Sequence, residues 1–202
     1  SRMKLENYYY IFNNILPKSF CDDVISYASG FSLNKGITFL EEKNPKYKKI
    51  NEVRRSNIRF FNDPWIINEL QPLVKISNKE SNWNFEYSRN EAAQFTEYKK
   101  NQFYGFHADD SPTPFNNKGA LTGLTRKLSM SVNLTDPSKY KGGDFVFKIP
   151  TGDGKYEEVI PEGFKEKGSV VVFPSYVIHT VKPVMKGKRN SLVMWTCGKP
   201  FK

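Results

Sequence analysis

The order of helix-forming and strand-forming segments constrains the fold of this chain most. From about residue 83 onward, segments rich in β-branched and aromatic residues alternate with glycine, proline and asparagine, which is typical of strands separated by turns. The pattern predicts strands at 91–98, 127–135, 144–149, 169–173 and 189–196. Because helical segments come first and strands follow, the sequence favours a mostly β fold with flanking N-terminal helices over alternating βαβ units.

Two helices are predicted ahead of these strands. Ser19 is expected to cap the first helix, which ends at Gly30. Asp63 followed by Pro64 is a typical start for the second helix, and Pro72 is expected to kink or split it. Long polar stretches in a compact domain are usually functional lids or disordered segments, and two of them lie at 30–51 and 110–126.

The length of the chain fits one globular domain. Its 202 residues, 38% of them hydrophobic and 15% aromatic, are enough to bury a core. We expect one domain over residues 3–202, with a helical preface at about 3–80 and a β core at about 83–200. Ser1 and Arg2 precede Met3 and are interpreted as a cloning remnant.

Nothing in the sequence indicates a membrane or secreted protein. No apolar run approaches the roughly 20 residues that a membrane-spanning helix needs, and no charged-then-apolar leader opens the chain. Cys21 and Cys197 are far apart and are expected to be reduced thiols. We therefore expect a cytoplasmic protein.

The formal net charge of +10 raises nucleic acid as a partner. The excess is mostly lysine and is spread along the chain, so a solvated basic surface is the simpler interpretation. A basic lid that attracts acidic substrates is the other alternative. Nucleic acid is therefore possible as a partner but not favoured.

The chain has two histidines, and one of them lies in a metal-binding pattern. His107 and Asp109 are separated by one residue, so their side chains lie on the same face of an extended segment. His179 follows the apolar segment 170–174 and can supply a third ligand. Two histidines and one carboxylate are the ligand set of non-haem Fe(II) oxygenases, although the same residues can also hold zinc in an open site.

Arg189 lies ten residues after His179, in a predicted strand. Period two places Arg189, Ser191 and Trp195 on one face of that strand. A guanidinium can bind a carboxylate through two parallel hydrogen bonds, and Ser191 can add a hydroxyl donor. The strand therefore predicts a site for the far carboxylate of a 2-oxo diacid.

Several segments together carry a resemblance to a known family. Residues 97–109 read EYKKNQFYGFHAD, residues 128–134 and 140–144 follow as strands, and residues 168–174 lead to His179. In this order they resemble the prolyl 4-hydroxylase type of Fe(II)/2-oxoglutarate dioxygenase. The likeness is strongest to the small microbial and viral branch with the pattern Y-x-x-x-Q-F-Y-G-x-H-x-D. Residues 15–28 and 53–65 resemble the helical preface of that family.

The resemblance implies a fold and a set of residue roles. The fold is a double-stranded β-helix, a cupin-like jelly roll. His107, Asp109 and His179 would bind Fe(II), and Arg189 would bind the C5 carboxylate of 2-oxoglutarate. The co-substrate is consumed with O2, and ascorbate is an implied reductant. The other residues implied for the co-substrate pocket are Tyr98, Ser131, Asn133, Ser191 and Trp195, with Asn133 at a position where relatives often carry an aromatic residue.

The activity that the resemblance implies is hydroxylation of a prolyl residue in a peptide or protein, with release of succinate and CO2. The alternatives that stay open are a free amino acid or other small molecule as substrate, a nucleic-acid base as substrate, and a non-catalytic binding module. The sequence leaves the substrate, the choice between monomer and dimer, and the source, including a viral one, undecided.

Overall fold

The computed structural model describes residues 8–36 and 53–202. Within these ranges, strands dominate and two long helices precede most of them. The helices are α1 (Lys18–Ser29) and α2 (Pro64–Glu80). The strands, numbered in chain order, are β1 (Tyr10–Phe12), β2 (Asn34–Lys35), β3 (Arg54–Arg55), β4 (Asn57–Phe61), β5 (Arg89–Asn90), β6 (Ala93–Tyr98), β7 (Phe103–His107), β8 (Thr125–Asn133), β9 (Tyr140–Gly142), β10 (Phe145–Pro150), β11 (Tyr156–Val159), β12 (Val170–Pro174), β13 (Ile178–Val181), β14 (Val184–Gly187) and β15 (Arg189–Gly198).

The strands form two large antiparallel sheets. The major sheet has the order β1-β12-β8-β15-β6-β4-β2, with β5 paired to β15, and the minor sheet has the order β11-β10-β13-β7-β3. Strands β9 and β14 pair with each other in a small separate sheet. The prediction of a mostly β fold with flanking N-terminal helices is confirmed.

Strand β12 shows how sequence and packing correspond. Its five residues are all buried. Val170 and Val172 belong to the core between the major sheet and the helices, whereas Val171 and Phe173 belong to the core shared with the minor sheet. Because both faces of β12 are covered, its sequence is a continuous apolar run and not an alternating one.

The N-terminal part differs from expectation in three respects. Helix α1 begins at Lys18 with Pro17 at the N-cap position, so Ser19 is not the cap. Helix α2 continues through Pro72, so the proline does not split it, because the buried apolar face of the helix packs on the core and outweighs one lost backbone hydrogen bond. The first 80 residues also contain β1 to β4 and are therefore more than a helical preface.

The polar stretch 30–51, predicted to be a lid or a disordered segment, lies mostly outside the described residues. Among the described residues, no helix is both long enough and apolar enough to cross a membrane.

Both cysteines are free, and both side chains are fully buried. Burial raises the pKa of the Cys21 thiol to about 11 and that of the Cys197 thiol, beside Glu91, to about 12. Since the thiolate is the reactive form, native protein at about pH 8 should react with a thiol reagent at least roughly 100-fold more slowly than unfolded protein. Absorbance after addition of Ellman's reagent, with and without guanidinium, measures this. Fast labelling of the native protein would contradict the burial.

Candidate metal centre

The three predicted metal ligands lie together on and beside two neighbouring interior strands of the minor sheet. Strands β7 and β13 are neighbours, and His107 lies directly opposite His179. The Oδ1 atom of Asp109 is 3.2 Å from Nε2 of His107 and 3.5 Å from Nε2 of His179. The three candidate ligand atoms all lie within 4.8 Å of one another. One metal ion can therefore contact all three residues.

The backbone fixes the orientation of both imidazole rings. Nδ1 of His107 is 2.7 Å from the carbonyl oxygen of Gly105, and Nδ1 of His179 is 2.9 Å from the carbonyl oxygen of Val177. A carbonyl only accepts hydrogen bonds, so the proton of each neutral ring belongs on Nδ1. This leaves each Nε2 as a lone-pair donor toward Asp109, which is the arrangement that a metal ligand requires.

Hydrogen bonds hold the Asp109 carboxylate in place. Its Oδ2 accepts from the hydroxyl of Ser129 at 2.7 Å, and that hydroxyl is 2.9 Å from the hydroxyl of Ser175. Burial raises the pKa of Asp109, but the two histidines and Arg126 outweigh this and hold the pKa well below its usual range. The carboxylate is therefore ionised, with Oδ1 left to face the imidazoles.

His179 is the more deeply buried of the two histidines. Burial lowers its pKa to about 4, and the neighbouring His107 lowers it further, while Asp109 and the carbonyl of Val177 act in the opposite direction. His179 is consequently neutral at physiological pH. Neutral imidazole is the form that binds a metal ion.

An aromatic stack supports His107 from the side. The ring of Tyr104 lies nearly parallel to the imidazole, with 3.5 Å between ring centres and 13° between planes. The guanidinium carbon of Arg54 is 4.5 Å from the centre of the same tyrosine ring. Because the imidazole covers one face of the ring, the guanidinium covers the other. Burial raises the pKa of Tyr104 to about 12, so the phenol stays protonated.

The stack of Tyr104 on His107 should contribute to the affinity for Fe(II). Replacing Tyr104 with alanine should weaken Fe(II) binding by about 10-fold, since residues that orient metal ligands typically contribute 10- to 100-fold to affinity. Tyr104→Phe keeps the ring and should stay within about threefold of the wild type. Anaerobic titration with Fe(II) compares the two variants. Equal affinities in Tyr104→Ala and Tyr104→Phe would show that the ring does not position His107.

A narrow cavity of about 30 Å³ connects this centre with β15. It is enclosed by both sheets. Its lining contains all three candidate ligands and most of the residues predicted for the co-substrate: His107, Asp109, His179, Tyr98, Ser131, Arg189, Ser191 and Trp195, together with Arg54, Gln94, Tyr104, Met130, Phe145, Phe173, Val181 and Val193.

Arg189 is a buried cation at the wall of this cavity. Only 2% of its surface is exposed, and its guanidinium carbon lies 5.9 Å from the ring centre of Tyr98. Among the described residues, no carboxylate forms an ion pair with it. Gly143 provides room for the side chain, because a Cβ there would lie 3.2 Å from Cδ of Arg189. A buried charge is costly without a counter-charge, so the site favours an anionic ligand.

Asn133 does not reach this cavity. Its amide nitrogen donates to the carbonyl oxygen of Lys165 at 2.6 Å and to that of Thr135 at 3.2 Å. Its side chain lines a separate, smaller cavity that touches Arg189 from another side. The structure therefore brings Asn133 near Arg189 but not into the space that contains the three candidate ligands.

A larger cleft of about 230 Å³ lies outside the metal centre. It shares Arg54, Gln94, Tyr104, Asp109 and Trp195 with the inner cavity. This shared wall means that a molecule in the cleft has direct access to the candidate metal ligands.

The segment 110–126 forms much of the outer wall of this cleft. It is tied together by its own backbone, since the amide of Phe115 donates to Leu124 and the amide of Gly123 donates to Phe115, both at 2.9 Å. Phe115 and Lys118 line the cleft. This stretch, expected to be a lid or a disordered segment, is thus an ordered wall of the site.

Arg126 and Trp195 lie where the cleft meets the inner cavity. Arg126 makes a bidentate pair with Glu91, at 2.6 Å from Nε and 3.0 Å from a terminal nitrogen, and stacks 3.7 Å above the ring centre of Trp195. Nε1 of Trp195 is buried and has no acceptor among the described residues. The indole N–H is therefore available to a bound molecule.

Comparison with known proteins identifies the family. Residues 93–197, about half of the chain, match the 2OG-Fe(II) oxygenase superfamily. The chain belongs to this superfamily. The matched region contains the candidate ligand triad and Arg189, so the family's metal, Fe(II), and its co-substrate, 2-oxoglutarate, correspond to the donor set and the buried cation described above.

Curated relatives in this superfamily resemble half of the chain. A PKHD-type hydroxylase of Alteromonas mediterranea is 32% identical over 101 residues, which are 50% of this chain and 41% of that protein. The PKHD-type hydroxylase YbiX of Escherichia coli is also 32% identical over 101 residues, which are 40% of its length. The aligned part thus spans about two fifths of these relatives.

Solved structures confirm the jelly-roll fold along nearly the whole chain. A viral collagen prolyl hydroxylase from Paramecium bursaria Chlorella virus-1 has a TM-score of 0.62 at 19% identity, covering 95% of this chain and 96% of that one. A Pseudomonas putida prolyl-4-hydroxylase has a TM-score of 0.64 at 19% identity, with 95% and 93% covered. A Trichoplax adhaerens prolyl hydroxylase has a TM-score of 0.63 at 15% identity, with 94% and 83% covered.

Several residues of the site were not among the sequence predictions. Arg54, Glu91 and Arg126 have no role in the sequence predictions. Arg54 and Ser56 are two residues apart, and Nε of Arg54 donates to the hydroxyl of Ser56 at 2.9 Å. Strand periodicity could have indicated that these two polar side chains share a face, but not that the face borders the metal centre.

Proposed function

We propose that this chain is an Fe(II)- and 2-oxoglutarate-dependent dioxygenase that hydroxylates a C–H bond. The observation that carries the proposal is the presence of two imidazoles, one carboxylate and a buried arginine with no ion-pair partner among the described residues, all around the same cavity. When bound, Fe(II) with 2-oxoglutarate and O2 supplies the oxidising chemistry, and succinate and CO2 are released. We also propose that residues 3–202 form one oxygenase domain.

The residues that line the inner cavity have separate proposed roles. His107, Asp109 and His179 would hold the Fe(II) ion. Arg189 binds the far carboxylate of 2-oxoglutarate and so orients its 2-oxo end toward the triad. Ser191 and Tyr98 line the same wall and can donate hydrogen bonds to the co-substrate.

We propose a prolyl residue of a peptide or protein as the substrate. The solved structures that resemble this chain include a collagen prolyl hydroxylase and a prolyl hydroxylase bound to a peptide fragment of hypoxia inducible factor. The outer cleft supports the proposal, because Phe115 and Trp195 offer aromatic side chains to a pyrrolidine ring next to the metal centre. The buried free thiols support a reducing, cytoplasmic environment.

The experiment is a turnover assay with defined peptides. Protein with Fe(II), 2-oxoglutarate and O2 is incubated with proline-rich peptides and with matched peptides in which alanine replaces proline. Mass spectrometry should show one added oxygen atom only in the proline peptides, with one succinate formed per hydroxylation. Oxygen addition to free amino acids alone would refute a peptide substrate, and a lack of succinate with every substrate would refute the dioxygenase.

A further inference from the structure

A cluster of exposed lysines lies on the small β9–β14 sheet and the adjoining turn. Pairing of the two strands places Lys141 opposite Lys186. The turn after β6 is bonded to the same sheet, since the amide of Asn101 donates to Val184 at 2.8 Å and the amide of Val184 donates to Gln102 at 3.0 Å. We name the six exposed lysines on these three segments the lysine platform: Lys99, Lys100, Lys139, Lys141, Lys186 and Lys188.

The central lysines of the platform lie on two paired strands and are exposed. In β9, Tyr140 is buried and Lys141 is exposed, as strand alternation requires. Side chains directly opposite in an antiparallel pair lie on the same side, so Lys186 projects in the same direction as Lys141. The two charges are therefore held next to each other despite their mutual repulsion.

The platform is poorly neutralised. Its one ion-pair partner among the described residues is Glu97, which lies 3.6 Å from Lys99 and 3.2 Å from Lys188. Six lysines against one glutamate leave a charge of +5, half of the formal +10 of the whole chain. Among the described residues outside the platform, three lysines have a carboxylate of their own, in the pairs Lys165–Asp144, Lys167–Asp22 and Lys182–Glu158.

The side chains around the platform favour some classes of binding partner over others. Tyr98 and Tyr140, which adjoin platform lysines in sequence, are both buried and offer no ring for stacking with unpaired bases. Met185 is the exposed apolar side chain, and one methionine is a weak anchor for a lipid surface. Lysine ammonium groups act as point charges that suit phosphates without reading sequence.

We propose that the lysine platform binds the phosphate backbone of a nucleic-acid duplex, independently of base sequence. The platform lies at the Arg189 end of β15, whereas Trp195 borders the outer cleft. Lys188 and Trp195 are seven positions apart, which corresponds to about 20 Å along a strand. A duplex on the platform therefore leaves the cleft accessible.

The test is fluorescence anisotropy of a short labelled DNA duplex between about 50 and 200 mM salt. Wild-type affinity should fall linearly with the logarithm of salt concentration. The variant Lys141→Gln/Lys186→Gln should lower the slope by about two and weaken binding at about 100 mM salt more than roughly tenfold, because each phosphate contact contributes about 0.9 to the slope. The matched control, Lys75→Gln/Lys79→Gln on helix α2, removes the same charge from another face and should keep the wild-type slope.

Thermal unfolding verifies that both variants remain folded, since all four positions are exposed. Three results would overturn the proposal: no duplex binding at low salt, equal losses in platform and control variants, or tighter binding to single strands than to the duplex. Binding to vesicles that contain phosphatidylserine, without binding to the duplex, would refute it in favour of a membrane surface.

Discussion

Replacing Asp109 with alanine should abolish turnover of 2-oxoglutarate. The carboxylate is the contact shared by the two imidazoles, at 3.2 and 3.5 Å from their Nε2 atoms, and no other carboxylate of the described residues joins this cluster. Loss of an orienting residue beside a metal ligand already costs about 10- to 100-fold, so loss of the ligand itself should lower succinate formation more than roughly 100-fold. Succinate release measures this.

Two matched variants distinguish loss of the metal ligand from general damage. Asp110→Ala removes the neighbouring carboxyl, which is not part of the triad, and should keep most of the activity. Ser129→Ala removes the hydrogen bond to Oδ2 of Asp109 and should produce an intermediate loss. Anaerobic addition of Fe(II) and 2-oxoglutarate should give a visible charge-transfer band in the wild type but not in Asp109→Ala. Succinate formation by Asp109→Ala at the wild-type rate would rule out the proposed site.

Local patterns were sufficient to predict the parts of the site that lie within single strands. The spacing of His107 and Asp109 follows from strand alternation, and so does the shared face of Arg189, Ser191 and Trp195, all of which line the cavity. The apolar run at 169–173 likewise predicted a strand, and β12 occupies nearly the same positions.

Contacts between distant segments could not be predicted in this way. Arg54 reaches Tyr104 because β3 pairs with β7, and Glu91 meets Arg126 across 35 positions of sequence. The lysine platform joins three segments that are separated by more than 30 residues each. Asn133 shows the limit of periodicity, since β8 ends there and the side chain bonds to the backbone of Lys165 instead of facing the triad.

Replacing Arg189 with glutamine should weaken 2-oxoglutarate binding while leaving the metal ligands intact. A hydrogen bond to a charged group is worth about 1.5–3 kcal/mol, so the KM for 2-oxoglutarate should rise roughly 10- to 100-fold. Arg189→Lys keeps the charge but loses the bidentate geometry, so its KM for 2-oxoglutarate should lie between the values of the wild type and of Arg189→Gln. Because the cation is buried without a carboxylate partner, its removal should not lower the thermal stability. Kinetics at varied 2-oxoglutarate concentration and the dissociation constant from the charge-transfer band provide two independent readouts.

Arg54→Gln is the matched control for Arg189→Gln. Arg54 is the other buried arginine that lines the cavity together with the triad, but its guanidinium stacks on Tyr104, toward the outer cleft. If the diacid lies with its far carboxylate on β15, Arg189→Gln raises the KM for 2-oxoglutarate, whereas Arg54→Gln acts mainly on Fe(II) affinity through the stack on His107. A large rise of that KM in Arg54→Gln, with Arg189→Gln unchanged, would mean that the co-substrate binds in the opposite direction and that Arg189 has another anionic ligand.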